Sequence, residues 1–461
     1  MTEPTQTATP DLLASTAGRA LAYLEGIDRR PVAPTEAAVR ALAQLDEPLP
    51  ERPTDPAAVI DLLDRVGSPA TVASAGGRFF GLVVGGALPA TVAAHWLADV
   101  WDQEAGMEAS SPTAVALESV AHRWLLELFG FPAGSGSAFV TGATMANFTA
   151  LAAARGAVLA RVGWDVEADG LQGAPAVTVV VGEEVHPSVR KALGLLGLGR
   201  NRVSVVPTDR QGRLVADRIP PLQGPTIVCA QAGNVNSGAS DPFREIAARV
   251  HEAGGWLHID GAFGLWAAIS PTKAPLVAGY QDADSWATDA HKWLNTPYDS
   301  GLAFVRDAEA IRRAMSVSAA YLPSGAGRQP DHYTPELSRR ARGVEVWAAI
   351  KSLGKSGLID LVDRCCRHAE RFAAGLGGAG FEILNEVVLN QVVAAVGDTE
   401  MTDRVVARIQ RDGVCWCGAT TWEGRRAIRI SVSSWATTER DVDLSIAAIV
   451  AAAEAVRSGR G

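Results

Sequence analysis

Short apolar runs and helical stretches alternate along one long part of this chain, and that alternation restricts its fold more than any other feature. Ala138-Phe139-Val140 leads into an Ala-rich helical stretch, Phe148 to Val162. Val177 to Val181 is a β-branched run followed by a helical stretch to Leu198, and Val203 to Val206 and Thr226 to Ala230 read as further strands. Pro242 to Ala253 is helical in pattern, whereas Trp256 to Ile259 and Gly301 to Val305 return to strand. Continuous apolar runs suit strands buried on both faces. Alternating with helices, they predict an α/β fold built on a mostly parallel sheet with helices on both sides. Ligands of such sheets bind at the carboxyl ends of the strands. Thr141, His186, Asn234 and Asp260 each follow an apolar run on that side.

Two short words narrow the chemistry. Trp256-Leu257-His258-Ile259-Asp260-Gly261-Ala262 ends an apolar run on a carboxylate, and Asp289-Ala290-His291-Lys292-Trp293 sets a lysine beside a histidine. Only 5 of the 42 basic residues are lysines, so a lysine here says more than an arginine would. A strand-end carboxylate and a downstream lysine suit pyridoxal phosphate (PLP). The lysine can form a Schiff base with its carbonyl, and the carboxylate can pair with its pyridinium nitrogen. Thr141-Gly142-Ala143-Thr144, ahead of a helix, offers hydroxyls and free N–H groups to a phosphate. His186, at a strand-to-helix turn, can stack on the ring. Each of these residues also has an ordinary structural reading as a cap, a turn or a strand end. Their agreement on one edge of one sheet favours a shared site.

The rest of the sequence sets bounds. A formal net charge of −9 and the lack of any run of like charges argue against a nucleic-acid partner. No Gly-x-Gly-x-x-Gly or phosphate-loop lysine follows a strand, which disfavours a nucleotide-binding protein. The five cysteines show no paired metal spacing, so reduced thiols, a cytoplasmic location and no metal site are expected; Cys415-Trp416-Cys417 is read as packing. No basic segment precedes an apolar run at the N-terminus, so no secretory signal is expected, and the most apolar segment, Phe79 to Ala94, is too short to span a bilayer. Residues 1–75 are read as helices cut by prolines, with little core of their own and lying on a partner subunit. Residues 76–345 are read as a large PLP-binding domain and 346–461 as a small C-terminal α/β domain. Met315 to Tyr333 is long enough for a lid.

With these residues laid out, the chain resembles the group II PLP-dependent amino-acid decarboxylases, the family of aromatic L-amino-acid, histidine and glutamate decarboxylases, from about Gly76 onward. The family usually has Asp-Ala-Ala where this chain has Asp260-Gly261-Ala262, and Asn-Pro-His-Lys-Trp where it has Asp289 to Trp293. The resemblance implies the aspartate-aminotransferase-like fold (fold type I) and a homodimer with a shared active site. It implies that Lys292 carries PLP, Asp260 pairs with the ring nitrogen, His186 stacks on the ring and Ala262 touches its other face. Gly142, Ala143, Thr144 and His291 would hold the phosphate. Tyr321, in Ala320-Tyr321-Leu322, would protonate the substrate carbon after CO₂ leaves. Phe80, Val83 and Arg342 are the residues expected nearest the substrate. Arg342 belongs to Arg339-Arg340-Ala341-Arg342, which resembles the family's Arg-Arg-x-Arg before a Trp. Arg425, Arg426 and Arg429 are further candidates for a substrate carboxylate, an ion pair elsewhere being the plainer reading for at least two of them.

The implied activity is decarboxylation of an L-amino acid to its amine. Leu82-Val83-Val84-Gly85 stands where aromatic decarboxylases have a Phe-Pro-Thr segment, so an aromatic substrate stays open without support from these residues. Aldehyde synthesis, another lyase reaction, transamination and a non-catalytic PLP-fold protein are the alternatives.

Overall fold

The alternation resolves into seven strands in a computed structural model that describes residues 8–317 and 327–459. β1 (Gly136–Val140), β2 (Thr178–Gly182), β3 (Ser204–Val206), β4 (Thr226–Gln231), β5 (Trp256–Asp260), β6 (Ser285–Asp289) and β7 (Gly301–Val305) form one sheet in the order β1-β7-β6-β5-β4-β2-β3. β7 runs against both its neighbours, and the other pairings are parallel. Gln231 lies opposite Asp260 and Asp260 opposite Ala287, so the carboxyl ends of β4 and β5 are level and β6 runs two residues further. The apolar pattern does not mark β6, because Ser285, Thr288 and Asp289 interrupt it; all three are nevertheless buried.

Both faces of the sheet are covered. In β4, Ile227 and Cys229 join a core with the Ala143–Ala160 and Pro187–Leu195 helices, while Val228 and Ala230 join the core on the other side. This is the period-2 alternation of a strand with no solvent face. The Ala143–Ala160 helix crosses the sheet on small buried residues such as Ala146, Ala150 and Ala154. It starts at Ala143 rather than Phe148, because buried Asn147 turns its amide to the sheet instead of interrupting the helix.

Four further strands, β8 (Glu382–Ile383), β9 (Gln391–Ala395), β10 (Gly418–Trp422) and β11 (Arg425–Ser431), form an antiparallel sheet in the order β10-β11-β9-β8. The Thr399–Asp412 and Glu439–Arg457 helices accompany it, the latter opened by a capping box of Thr438 and Asp441. The Gly343–Gly378 helix runs through position 345/346 and is broken at Gly354 (φ 61°), a backbone state that glycine takes without a Cβ clash. Phe80 N–H donates to Trp416 O (2.7 Å) and Ser431 N–H to Phe80 O (3.0 Å), which ties the Gly-rich 76–86 segment to the second sheet. Cys415 and Cys417 are buried and free, and Trp416 between them stacks on Phe79 at 5.0 Å.

At the N-terminal end, the Glu36–Ala41 and Pro56–Leu62 helices bury no side chain, and Leu13, Leu21, Leu24 and Leu63 stay exposed. No described helix is long and apolar enough to cross a membrane.

Candidate active site

β5 ends in a carboxylate that is 3 % exposed. Asp260 accepts hydrogen bonds from Asn147 Nδ2 (3.1 Å), Ser188 Oγ (3.3 Å) and Ala262 N–H (3.2 Å). Among the described residues it has no ion-pair partner. A buried carboxylate without a counter-charge is costly even when hydrogen-bonded, and this one stands at the wall of a cleft. It is a place for a cation.

The donors behind Asp260 form a line. Trp256 Nε1–H donates to Ser285 Oγ (2.9 Å), Ser285 Oγ–H to His258 Nδ1 (2.9 Å) and His258 Nε2–H to Asn147 Oδ1 (2.8 Å). The alternation of β5 puts Trp256, His258 and Asp260 on one face, and Ser285 lies opposite His258 in register. The sense of the line is fixed, because an indole N–H only donates and an amide oxygen only accepts. Burial pushes the His258 pKa down from 6.5 to about 4, so its ring is neutral and able to accept on one nitrogen while donating from the other.

That depressed value has a consequence for stability. Below about pH 6.5 the unfolded chain protonates this histidine while the folded protein does not, so stability falls as pH drops towards about 4. The His258 contribution is on the order of 3 kcal/mol. His258→Gln is therefore expected to lose less stability than the parent between pH 7 and pH 4, by about that amount, in urea unfolding. Identical pH dependence in the two proteins would rule this out.

β6 ends on Asp289, and the turn after it carries His291 and Lys292. Lys292 Nζ lies 3.0 Å from Asp289 Oδ2, and Asp289 Oδ1 accepts from the Ala143 N–H (2.5 Å) at the head of the Ala143–Ala160 helix. His291 Nδ1 accepts from the Ser300 N–H (3.2 Å), which leaves the proton on Nε2, 3.6 Å from Asp289 Oδ1. Its ring stacks on Tyr298 at 4.3 Å, and burial lowers its pKa. Two close approaches need glycine. A Cβ on Gly85 would sit 1.7 Å from the Lys292 carbonyl oxygen, and one on Gly301 would sit 2.4 Å from Gly142 Cα. Asn295, in the left-handed region at φ 54°, donates to Ser433 O (3.1 Å) and accepts from Trp435 N–H (2.9 Å), fastening the lysine turn to the C-terminal part of the chain.

Asp260, Lys292, His186, Ala262 and Val83 line one narrow cleft, together with Gln231 and Phe263. His186 caps the Pro187–Leu195 helix: its Nδ1 accepts from Ser188 N–H (3.2 Å) and lies 2.7 Å from Ser188 Oγ, whose single proton serves either His186 or Asp260. Burial lowers its pKa, against the pull of Asp260. Ser188 thus joins His186 to Asp260.

Other expected residues lie around this centre. Gly142 and Ala143 form the helix head beside Asp289, with Thr141 and Thr144 half-buried next to them. Asn234 accepts from the N–H groups of Asn236 (2.8 Å) and Ser237 (3.2 Å), shaping the loop that brings Gly233 to the cleft. Its Nδ2 is buried without a partner among the described residues. Phe80 does not line the cleft: it is 1 % exposed and packs edge-on against Phe372, while Val83 faces the opening. Arg342 is held by Asp299 (3.0 Å). Tyr321, with Ala320 and Leu322, lies outside the described residues. Arg425 and Arg426 form exposed ion pairs with Glu382 (2.6 Å) and Asp403 (2.7 Å). Arg429 has no ion pair among the described residues, and its guanidinium reaches Val235 O (3.4 Å) at the cleft.

Asn147, Ser188 and His258 are absent from the expected set, as is the contact that Asp289 makes with the helix head. The spacing of His258, two residues before Asp260 in a strand, is the signal that places it on the same face. The residues present fit PLP. Among the described residues Asp260 lacks a cation and suits the ring nitrogen; Lys292 offers an amine that would suit the carbonyl, and His186 and Ala262 would wall the ring. The head of the Ala143–Ala160 helix suits a phosphate.

Comparison with known proteins gives the same direction. The sequence profile described as "Pyridoxal-dependent decarboxylase conserved domain" matches residues 40–396. An aromatic-L-amino-acid decarboxylase of Bacillus atrophaeus is 27% identical over 441 residues, covering 90% of each chain. A histidine decarboxylase of Drosophila melanogaster is 31% identical over 357 residues, covering 72% of this chain and 42% of that one. The fold matches a crystal structure of Oryza sativa TDC with PLP and tryptamine at a TM-score of 0.90, with 21% identity and coverage of 98% and 99%.

Proposed function

Because the chain belongs to the pyridoxal-dependent decarboxylase family, we propose that this cleft decarboxylates an L-amino acid to its amine, with Lys292 and Asp260 at the centre of the reaction. The protein is a PLP-dependent amino-acid carboxy-lyase, and the reading of its site rests on one observation. A buried carboxylate with no ion-pair partner among the described residues and a lysine line the same cleft.

When bound, PLP supplies an electron sink for the pair of electrons left as the carboxylate departs. Lys292, the amine of the cleft, would be the residue that holds the cofactor by its carbonyl, and Asp289 its partner when it does not. Asp260, short of a counter-charge among the described residues, would hold a proton on the ring nitrogen. His186 presents a fixed ring face, because Ser188 anchors its Nδ1. Phe263, Val83 and Ala262 exclude water from the reacting bond. Arg429, unpaired beside Val235, is suited to receive a carboxylate of the substrate. Tyr321 is assigned the proton delivery to the substrate carbon on the strength of its sequence context, with His186 as second choice.

A homodimer belongs to the same reading. The N-terminal helices that bury no side chain and the exposed Trp96, Leu97, Val100 and Trp101 support it, as apolar surface of that kind marks an interface. The five free, buried cysteines suit a reducing compartment such as the cytoplasm.

Mass spectrometry of the products formed from a panel of L-amino acids, by PLP-loaded protein under air, tests the reaction. An amine with equimolar CO₂ supports decarboxylation and names the substrate class. An aldehyde with ammonia, or a keto acid, moves the reaction elsewhere and removes the role of Tyr321. Protein that takes up no PLP refutes the site altogether.

A further inference from the structure

Three groups that a phosphate would seek at the head of the Ala143–Ala160 helix, the Ala143 N–H, His291 and Lys292, already face Asp289. Its Oδ1 takes the Ala143 N–H at 2.5 Å and faces the His291 Nε2–H at 3.6 Å, and its Oδ2 takes the Lys292 ammonium at 3.0 Å. The carboxylate is 2 % exposed and lies against Gly142, where a Cβ would be 3.4 Å from Oδ1. A helix N-terminus, an imidazole N–H and an ammonium converge on one anion, and that anion is a side chain of the protein. A phosphate arriving at the same place brings more negative charge next to a buried carboxylate, where water screens little and like charges repel strongly.

We propose that Asp289 is a built-in anion that closes the phosphate cradle of the cofactor-free protein. It must give up the Ala143 N–H and Lys292 before the cofactor's phosphate and carbonyl can take them. Asp289 therefore stabilises the empty protein and weakens its hold on PLP. A ligand to the cofactor would stabilise the loaded form, and a purely structural acid would stabilise both forms alike. The inference rests on the cofactor placement proposed above.

Two substitutions separate charge from shape. Asp289→Asn keeps the volume and removes the charge, and Asp289→Ala removes the hydrogen-bonding group as well. Full-length protein stripped of cofactor is titrated with PLP by equilibrium dialysis. Both variants are expected to bind PLP more tightly, the Asn variant by about tenfold or more. Inorganic phosphate, used alone, is expected to raise the melting temperature of both variants at concentrations that leave the parent unchanged. The cofactor-free Asn variant is expected to melt below the cofactor-free parent. Weaker PLP binding in both variants would make Asp289 a cofactor ligand and overturn the proposal, as would an unchanged affinity together with an unchanged phosphate response. Borohydride reduction of the loaded parent tests the premise separately. Cofactor trapped on Lys292 upholds the placement whatever Asp289 does, and cofactor trapped on another lysine removes both.

Discussion

Lys292→Ala is expected to abolish decarboxylation, lowering turnover by at least about a thousandfold, or about 4 kcal/mol of barrier. On the proposed reading the side chain has two jobs: an amine that joins covalently to the cofactor carbonyl, and a cation that pairs with Asp289 at 3.0 Å. Lys292→Arg separates them. A guanidinium keeps the charge but is too weak a nucleophile at neutral pH to replace the amine. The arginine variant should therefore fold as well as the parent and be as inactive as the alanine variant. Release of CO₂ from labelled substrate measures activity, and urea unfolding measures the fold. Near-parental turnover in either variant would remove Lys292 from the centre of the site.

Asp260→Ala is expected to retain part of the bound PLP and lose at least about a hundredfold in turnover, equivalent to about 3 kcal/mol. Retention follows because Lys292 and the helix head remain. The loss follows because the ring nitrogen no longer has an anion to keep it protonated, and an unprotonated ring is a poorer electron sink. Asp260→Asn, similar in shape but with one of the two acceptor oxygens replaced by an NH₂ group and without the charge, is expected to be nearly as slow. Recovery of parental rates in the Asn variant would make the residue a packing element and not an electrostatic one.

Much of this arrangement is legible in the sequence, for definite physical reasons. Strands buried on both faces leave unbroken apolar runs, so β2, β4 and β5 stand out. β6 does not, since its polar residues are used inside the protein. The site's two ends are legible because a carboxylate after an apolar run and a lysine beside a histidine are rare enough to be noticed. The line from Trp256 through Ser285, His258 and Asn147 is not legible, because Asn147 and His258 lie 111 residues apart in sequence. No local pattern joins them. Phe80 illustrates a different limit. Its neighbourhood is right, but a single step along an extended segment decides between core and cleft, and that step depends on the pairing with Trp416 and Ser431. Asp289 is visible as a departure from the family's usual asparagine, yet its meaning comes only from what surrounds it in space.

The line of hydrogen bonds that ends on Asp260 contains no ion. From the indole of Trp256 to the amide of Asn147, each member is a neutral dipole with its positive end turned towards the carboxylate. Mobile ions weaken interactions between exposed charges, but they do not penetrate between buried dipoles in contact. The surface pairs of this protein, such as Arg371 with Asp443, are exposed to the ionic strength around them; the support of Asp260 is not. Arranged this way, the donors that support Asp260 keep their hold on it as the ionic strength changes.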